Sequence, residues 1–146
     1  MESLHYLLMK ANALFSRGIL AEAGKLGLTS GQPKVLEFLL QHQEADQKTI
    51  AAHCEIEPAT MGSILLRMEH AGLISRRQRE GDRRSLLVSL TEQGKEAACR
   101  MADIFRAAED RATAAFTAAE LDALLKGLDR LCTAMQADRP RRRIHL

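Results

Sequence analysis

At 146 residues, with 46% hydrophobic and 27% charged side chains, the chain has the composition of one folded domain rather than a disordered polymer. Its apolar stretches are too short to cross a bilayer, and the start MESLHYLLMKA lacks the basic opening and long apolar run of a secretory leader. Cys54, Cys99 and Cys132 are odd in number and widely spaced, which suits a reduced, cytoplasmic protein.

Aromatic residues are only 3% of the chain, so the core must be aliphatic, which favours helices. Leu4, Leu7, Leu8, Ala11, Leu14, Phe15 and Gly18 recur at helical spacing and predict one apolar stripe on a long first helix. Thr29 with Gln32 reads as a capping box opening a helix through Val35, Leu36, Leu39 and Leu40. A short helix follows from Asp46 to Cys54, with Ile50 and Ala51 as its inner residues. After the turn Cys54–Glu57, Pro58 suits a first helical position because it has no N–H to donate. That helix buries Met61, Ile64, Leu65 and Met68 and ends at Gly72, a left-handed cap.

The period then changes. Leu73-Ile74 begins a strand, Glu80-Gly81-Asp82 turns, and Leu86, Val88 and Leu90 alternate inward on a second strand. Two short helices joined by a tight turn and followed by a hairpin make a winged helix-turn-helix. From Thr91 to about Ala115 an Ala-rich helix carries Ala97, Ala98, Met101, Ile104, Phe105 and Ala108. Thr117 and Glu120 form a capping box for a last helix striped with Leu121, Leu124, Leu125, Leu128, Leu131, Cys132 and Met135. The fold class is therefore mainly α with a small β-hairpin wing. One domain spans 1–146, with the winged lobe at about 30–90, dimerisation helices at 1–28 and 92–138, and a basic tail at 139–146.

Net charge is only +2, but it is uneven. Residues 67–84 hold six arginines (Arg67, Arg76, Arg77, Arg79, Arg83 and Arg84) against Glu69, Glu80 and Asp82, and the tail adds four more. A basic patch on an otherwise acidic body suits a phosphate-binding face; the plainer reading is a solvated surface.

The stretch from Glu57 to Ile74, followed by Gly81-Asp-Arg-Arg-Ser-Leu-Leu-Val-Ser-Leu-Thr-Glu-Gln-Gly94, resembles the MarR family of transcriptional regulators. Asp82, Arg84, Leu90, Thr91 and Gly94 match its wing signature, and Leu28-Thr29 with Gln32 resembles the start of its second helix. The resemblance implies a recognition helix in the major groove, with Thr60 on phosphate and Arg67 reaching phosphate or a base edge. It also implies Arg84 in the minor groove, held by Asp82, where narrow-groove potential favours a guanidinium. Many members carry an arginine where this chain has Ser63, a less selective reader. The candidate DNA-facing set is Pro58, Thr60, Ser63, Arg67, Arg76, Asp82, Arg83 and Arg84, with Arg76, Arg77 and Arg79 adding diffuse charge. Plainer roles stand beside these: Arg67 paired with Glu69 or Glu80, and Asp82 as a turn former.

Other chemistry is thin. There is no Gly-rich phosphate loop, His-Glu-x-x-His or Cys-x-x-Cys, and nothing pairs a nucleophile with a base, so neither enzyme activity nor a cofactor is expected. His42, His53 and Cys54 lack the further histidine that zinc-sensing members supply, so no metal is expected. Peroxide-sensing members carry their cysteine in the first helix, which has none here; Cys54, Cys99 and Cys132 read as inert thiols at apolar or helix-terminal positions. The resemblance implies a small aromatic or phenolic effector, with Leu14, Phe15, Phe38 and His42 near its pocket. Partners are then double-stranded DNA at a pseudo-palindrome, a second copy of the chain and that effector, with no membrane. The expected function is a repressor relieved by a ligand; the alternative is a winged-helix docking module that reads no DNA.

Overall fold

The computed structural model describes residues 1–138, apart from the Arg83 side chain, so the basic tail expected at 139–146 lies outside the described residues. Local signals place most of the elements. The Ser3 hydroxyl accepts the Tyr6 N–H at 3.3 Å and starts α1 (Leu4–Lys25). Next come α2 (Gln32–His42), β1 (Glu44–Asp46), α3 (Gln47–Cys54) and α4 (Pro58–His70). The strands β2 (Ile74–Arg79) and β3 (Asp82–Leu90) precede α5 (Glu92–Ala112) and α6 (Ala118–Ala137). No described helix is long and apolar enough to cross a membrane.

The capping box expected at Thr29 is only half formed. Gln32 Oε1 accepts the Thr29 N–H at 3.1 Å, but residues 29–31 close a turn and α2 begins later, with Gly31 as its N-cap and no side-chain cap. Asp46, where the sequence begins this short helix without an assigned cap, is the N-cap of α3: its carboxylate accepts the Thr49 N–H at 2.8 Å. That bond, helped by the charges of Arg79 and Lys48, holds the Asp46 carboxyl below its ordinary value. A depressed folded-state pKa means that the cap stabilises above the usual aspartate range and fades as pH falls through it.

The sheet has three strands in the order β1-β3-β2, all antiparallel. β1 was not expected, because Glu44-Ala45-Asp46 has no β-branched or aromatic residue. It is a strand because it pairs with β3, setting Ala45 opposite Val88. Ile74 and Val88 face the core at 2% and 1% exposure, as the alternation predicts. Leu86 has the same parity but is 39% exposed, since the hairpin runs on past the core. Leu87 is buried instead, paired with Asp46 on one side and Arg77 on the other.

The chain divides into two compact units, Met1–Ala108 and a second beginning at Glu109. The core of the first is built on Val35, Leu36, Leu39, Ile50, Met61, Leu65, Met68, Val88 and Met101, each under 2% exposed. α5 lays Ala98 and Met101 into it, with Ala97, Ile104, Phe105 and Ala108 packed at its edge. α1 contributes Ile19 and Ala23. The stripe predicted on α1 is a different face, roughly a third of a turn away. Leu4, Leu7 and Leu14 stand 63%, 44% and 55% exposed. In the second unit α6 has its Thr117–Glu120 capping box, at 3.1 and 2.9 Å, but no buried residue. Leu124, Leu125, Leu128 and Met135 are all exposed.

At the base of the hairpin, α5 approaches the end of α4 so closely that a Cβ on Gly94 would collide with the Leu73 carbonyl oxygen. Gly72, at φ 78°, turns the chain out of α4 in the left-handed conformation that only glycine adopts freely. Thr91 locks the junction. Its hydroxyl donates to the Gly72 carbonyl at 2.6 Å and accepts the Gly94 N–H at 3.0 Å, and its own N–H donates to the Leu73 carbonyl at 3.1 Å.

Two outcomes follow from this packing. Gly94→Ala should cost about 1–3 kcal/mol in urea unfolding, as overpacking against an immovable backbone does; an unchanged midpoint would show that α5 does not approach Leu73. The apolar stripes of α1 and α6 need a covering surface, and a second copy carries the same stripes. Light scattering at micromolar concentration should give twice the chain mass.

Candidate nucleic-acid interface

α4 is positioned from both ends. Gln47 Nε2 on α3 donates to the Pro58 carbonyl at 3.0 Å, and Gly62 leaves room for the same amide, which a Cβ there would meet at 3.0 Å. Pro58 occupies the first turn, as the sequence predicted, and the side chain of the N-cap residue Glu57 does not cap that turn. Met61, Ile64, Leu65 and Met68 are buried, as expected. The helical repeat then sets the other faces. Ala59, Ser63, Leu66 and His70 lie along the side opposite the core, all exposed. Thr60 and Arg67 lie on one flank and Glu69 on the other.

Glu69 faces the wing. Arg76 Nε is 3.3 Å from Glu69 Oε2, and the Arg76 side chain is only 18% exposed. Its Nε is buried and aligned with no hydrogen-bond acceptor, so the contact is an ion pair held by packing. Arg77 grips Glu44 on β1 through two hydrogen bonds, at 2.6 and 3.2 Å. This corrects the expectation of diffuse charge from Arg76 and Arg77: each has a carboxylate partner, Arg76 packed against α4 and Arg77 paired with β1 while its side chain stays 58% exposed. It also corrects the pairing weighed for Arg67, because Glu69 is taken by Arg76 and Arg67 remains exposed.

The tip turns at Gly81, and Arg79 pairs with Asp82. The next pair is Gln78 with Leu86, so residues 83–85 have nothing opposite them and form a bulge. Bulges re-aim side chains. Asp82 Oδ1 accepts the Arg84 N–H at 3.0 Å, so the aspartate fixes the bulge through the backbone. Both roles weighed for Asp82, turn former and holder of Arg84, coincide in that one bond. Arg84 is exposed, and the Arg83 side chain is outside what is described. Between wing and helices lies an open cleft of about 590 Å³ lined by Gln47, Lys48, Pro58, Arg76, Asp82 and Arg84 among others. Lys48, in the first turn of α3, lines this cleft and was not among the residues singled out from the sequence.

The cleft on the other flank of α4 is larger, about 660 Å³. Phe15, Ile19, Leu20, Pro33, Ile56, Ile64 and Phe105 form its apolar walls, and Asn12, Ser16, Ser30, Lys34, Thr60, Ser63 and Arg67 its polar ones. Of the four residues expected at a ligand pocket, Phe15 lines it. Leu14, one residue earlier, does not line it and stands 55% exposed on α1. Phe38 is a core residue at 4% exposure, and His42 stacks on it with ring centroids 4.2 Å apart, while His53 packs 4.7 Å from Phe38 on another side. These three form a separate ring cluster, and neither Phe38 nor His42 lines the cleft. Asn12, Lys34 and Phe105 were not anticipated, because they come from three helices far apart in sequence.

Among the described residues no cluster of three or more His, Cys, Asp or Glu is arranged for a metal ion. Cys54 is buried, and that burial pushes its thiol above the ordinary value, against reactivity. Cys99 and Cys132 are exposed, which differs from the apolar placement expected for inert thiols.

A helix-turn-helix with an adjoining wing, carried between helices with exposed apolar stripes, defines the winged-helix class of dimeric DNA-binding regulators. Comparison with known proteins agrees. The model of the MarR family matches residues 28–86. The HTH-type transcriptional repressor Rv2887 of Mycobacterium tuberculosis is 30% identical over 128 residues, which cover 88% of this chain and 92% of that protein. The crystal structure of Rv2887 in complex with salicylic acid aligns with a TM-score of 0.70 at 30% identity, over 90% of this chain and 97% of that one. The S. aureus MepR–DNA complex shares the fold, with a TM-score of 0.85 at 20% identity over 92% of this chain and 99% of that one. The chain belongs to the MarR family of transcriptional regulators.

Proposed function

We propose that this protein is a sequence-specific transcriptional repressor that binds DNA as a homodimer in the cytoplasm and is released by a small aromatic acid or phenol. It works by binding, with no reaction of its own. The observation that carries this reading is that Thr60, Ser63 and Arg67 belong both to the exposed part of α4 and to the wall of the 660 Å³ cleft. DNA and a ligand in the cleft therefore draw on the same side chains. Lys34 and Arg67 supply positive charge for a carboxylate or phenolate, and Phe15, Ile19 and Phe105 an apolar seat for a ring. The salicylic acid complex of the relative Rv2887 supports that ligand class.

In a two-fold dimer the two α4 helices enter successive major grooves, with half-sites about 10 base pairs apart, centre to centre. Pro58, Thr60, Ser63 and Arg67 face the groove and its backbone, with Lys48 beside them. Asp82, Arg83 and Arg84 form the wing tip at the neighbouring minor groove, where a narrow groove concentrates negative potential. Arg76 acts through Glu69, setting the angle between wing and helix. Linkage requires that the ligand prefer the state that cannot bind DNA, and recruitment of Arg67 into the cleft provides that preference.

Arg84→Ala should leave folding intact and weaken DNA binding by about 1–3 kcal/mol, with a shallower slope of log affinity against log salt. Equal affinity to the parent at several salt concentrations would remove the wing from the interface. Saturating salicylate should lower DNA affinity roughly fivefold to 150-fold, the usual range for coupling between sites. Lys34→Ala should abolish that response while retaining DNA binding; a full response in this variant would place the ligand elsewhere.

A further inference from the structure

The residues of α4 most directly opposite the core are Ala59, Ser63, Leu66 and His70, a single line at helical spacing. If α4 lies in the major groove, as the proposed function holds, this line meets the base edges. It contains no arginine, lysine, asparagine or glutamine, the side chains that read a base with two hydrogen bonds at once. Arg67 and Thr60 lie off it, on the flank that faces the cleft. Leu66 lies on it and is 50% exposed, the one large apolar side chain that α4 leaves in water among the described residues.

A half-exposed leucine at the apex of a helix gains only by meeting an apolar partner. Its surroundings are not those of an apolar protein interface. Ala59 and Ser63 are small and His70 is polar. The exposed Arg67 borders the cleft on one flank of α4, and the exposed Lys48 and Arg84 line the cleft between the wing and the helices. A polyanion with an apolar group at the centre of its groove fits that pattern, and in duplex DNA the group is the 5-methyl of thymine. We propose that Leu66 is a specificity-determining residue that reads thymine methyl groups, and that each half-site is selected by methyl contact at this position more than by bidentate hydrogen bonding.

The test begins by enriching duplexes from a random pool with the full-length dimer. The enriched sites should carry thymine at one fixed position in each half-site. Replacing that thymine by deoxyuridine removes only the methyl group and should weaken binding by the parent roughly threefold to tenfold per half-site. Leu66→Ala, an exposed change checked by circular dichroism and light scattering, should bind the thymine and deoxyuridine duplexes equally. Leu66→Gln should shift the preference at that position from thymine toward adenine. A parent that binds its enriched site with no response to deoxyuridine at any position overturns the assignment and leaves the DNA-binding reading standing. A deoxyuridine penalty that persists in full in Leu66→Ala also overturns it, since another residue then reads the methyl. Failure to enrich any sequence overturns both.

Discussion

The arrangement depends on one close approach, the passage of α5 against the end of α4. Gly94 lacks a Cβ where the Leu73 carbonyl lies, and Thr91 joins Gly72, Leu73 and Gly94 through three hydrogen bonds. Three elements meet at this point: the exit of α4, the base of the hairpin and the first turn of α5. A larger residue at 94 forces them apart together. The base of the wing and the start of α5, which carries Met101 into the core and Phe105 to its edge, meet at the same few atoms. The Leu-Thr-x-x-Gly stretch at 90–94 therefore has a steric cause as well as a hydrogen-bonded one.

α4 divides its surface among four tasks, and this division explains the uneven use of the arginines. One side is core, the opposite side is open, one flank is tied to the wing through Glu69–Arg76, and the other borders the 660 Å³ cleft. Arg76 and Arg77 have carboxylate partners, so their charge contributes less to any external field than a simple count implies. Arg67 and Arg84 are exposed and retain theirs. Arg76, packed against Glu69 at 18% exposure, fixes geometry, whereas the exposed Arg67 and Arg84 remain available to an anion.

Most of the fold was legible because its signals are local. Thr117 as a cap, Pro58 in a first turn, Gly72 as a left-handed stop, and the inward spacing of Met61, Ile64, Leu65 and Met68 each depend on residues within one or two turns of one another. The misreadings share the opposite property. β1 exists only because β3 pairs with it, and Leu86 is exposed because the hairpin outruns a core whose extent no local pattern states. Thr29 looks like a cap, but a tight turn intervenes. On α1, the strongest apolar stripe is the outward one, and the face that meets the core was hidden among Asn12, Ser16, Ile19 and Ala23.

The sequence by itself determined the order of the helices and the helix-turn-helix with its wing, because helical and strand periods and capping chemistry are written over short spans. Thr60, Arg67, Asp82 and Arg84 became candidates through the resemblance of their motifs to the MarR family. Only the tertiary structure decided which arginines are occupied, which of Leu14, Phe15, Phe38 and His42 borders a cleft, and that Leu66 stands at the apex of α4. These depend on which faces are covered by segments distant in sequence. A spacing rule shows that two side chains share a face, but only packing shows what lies against it.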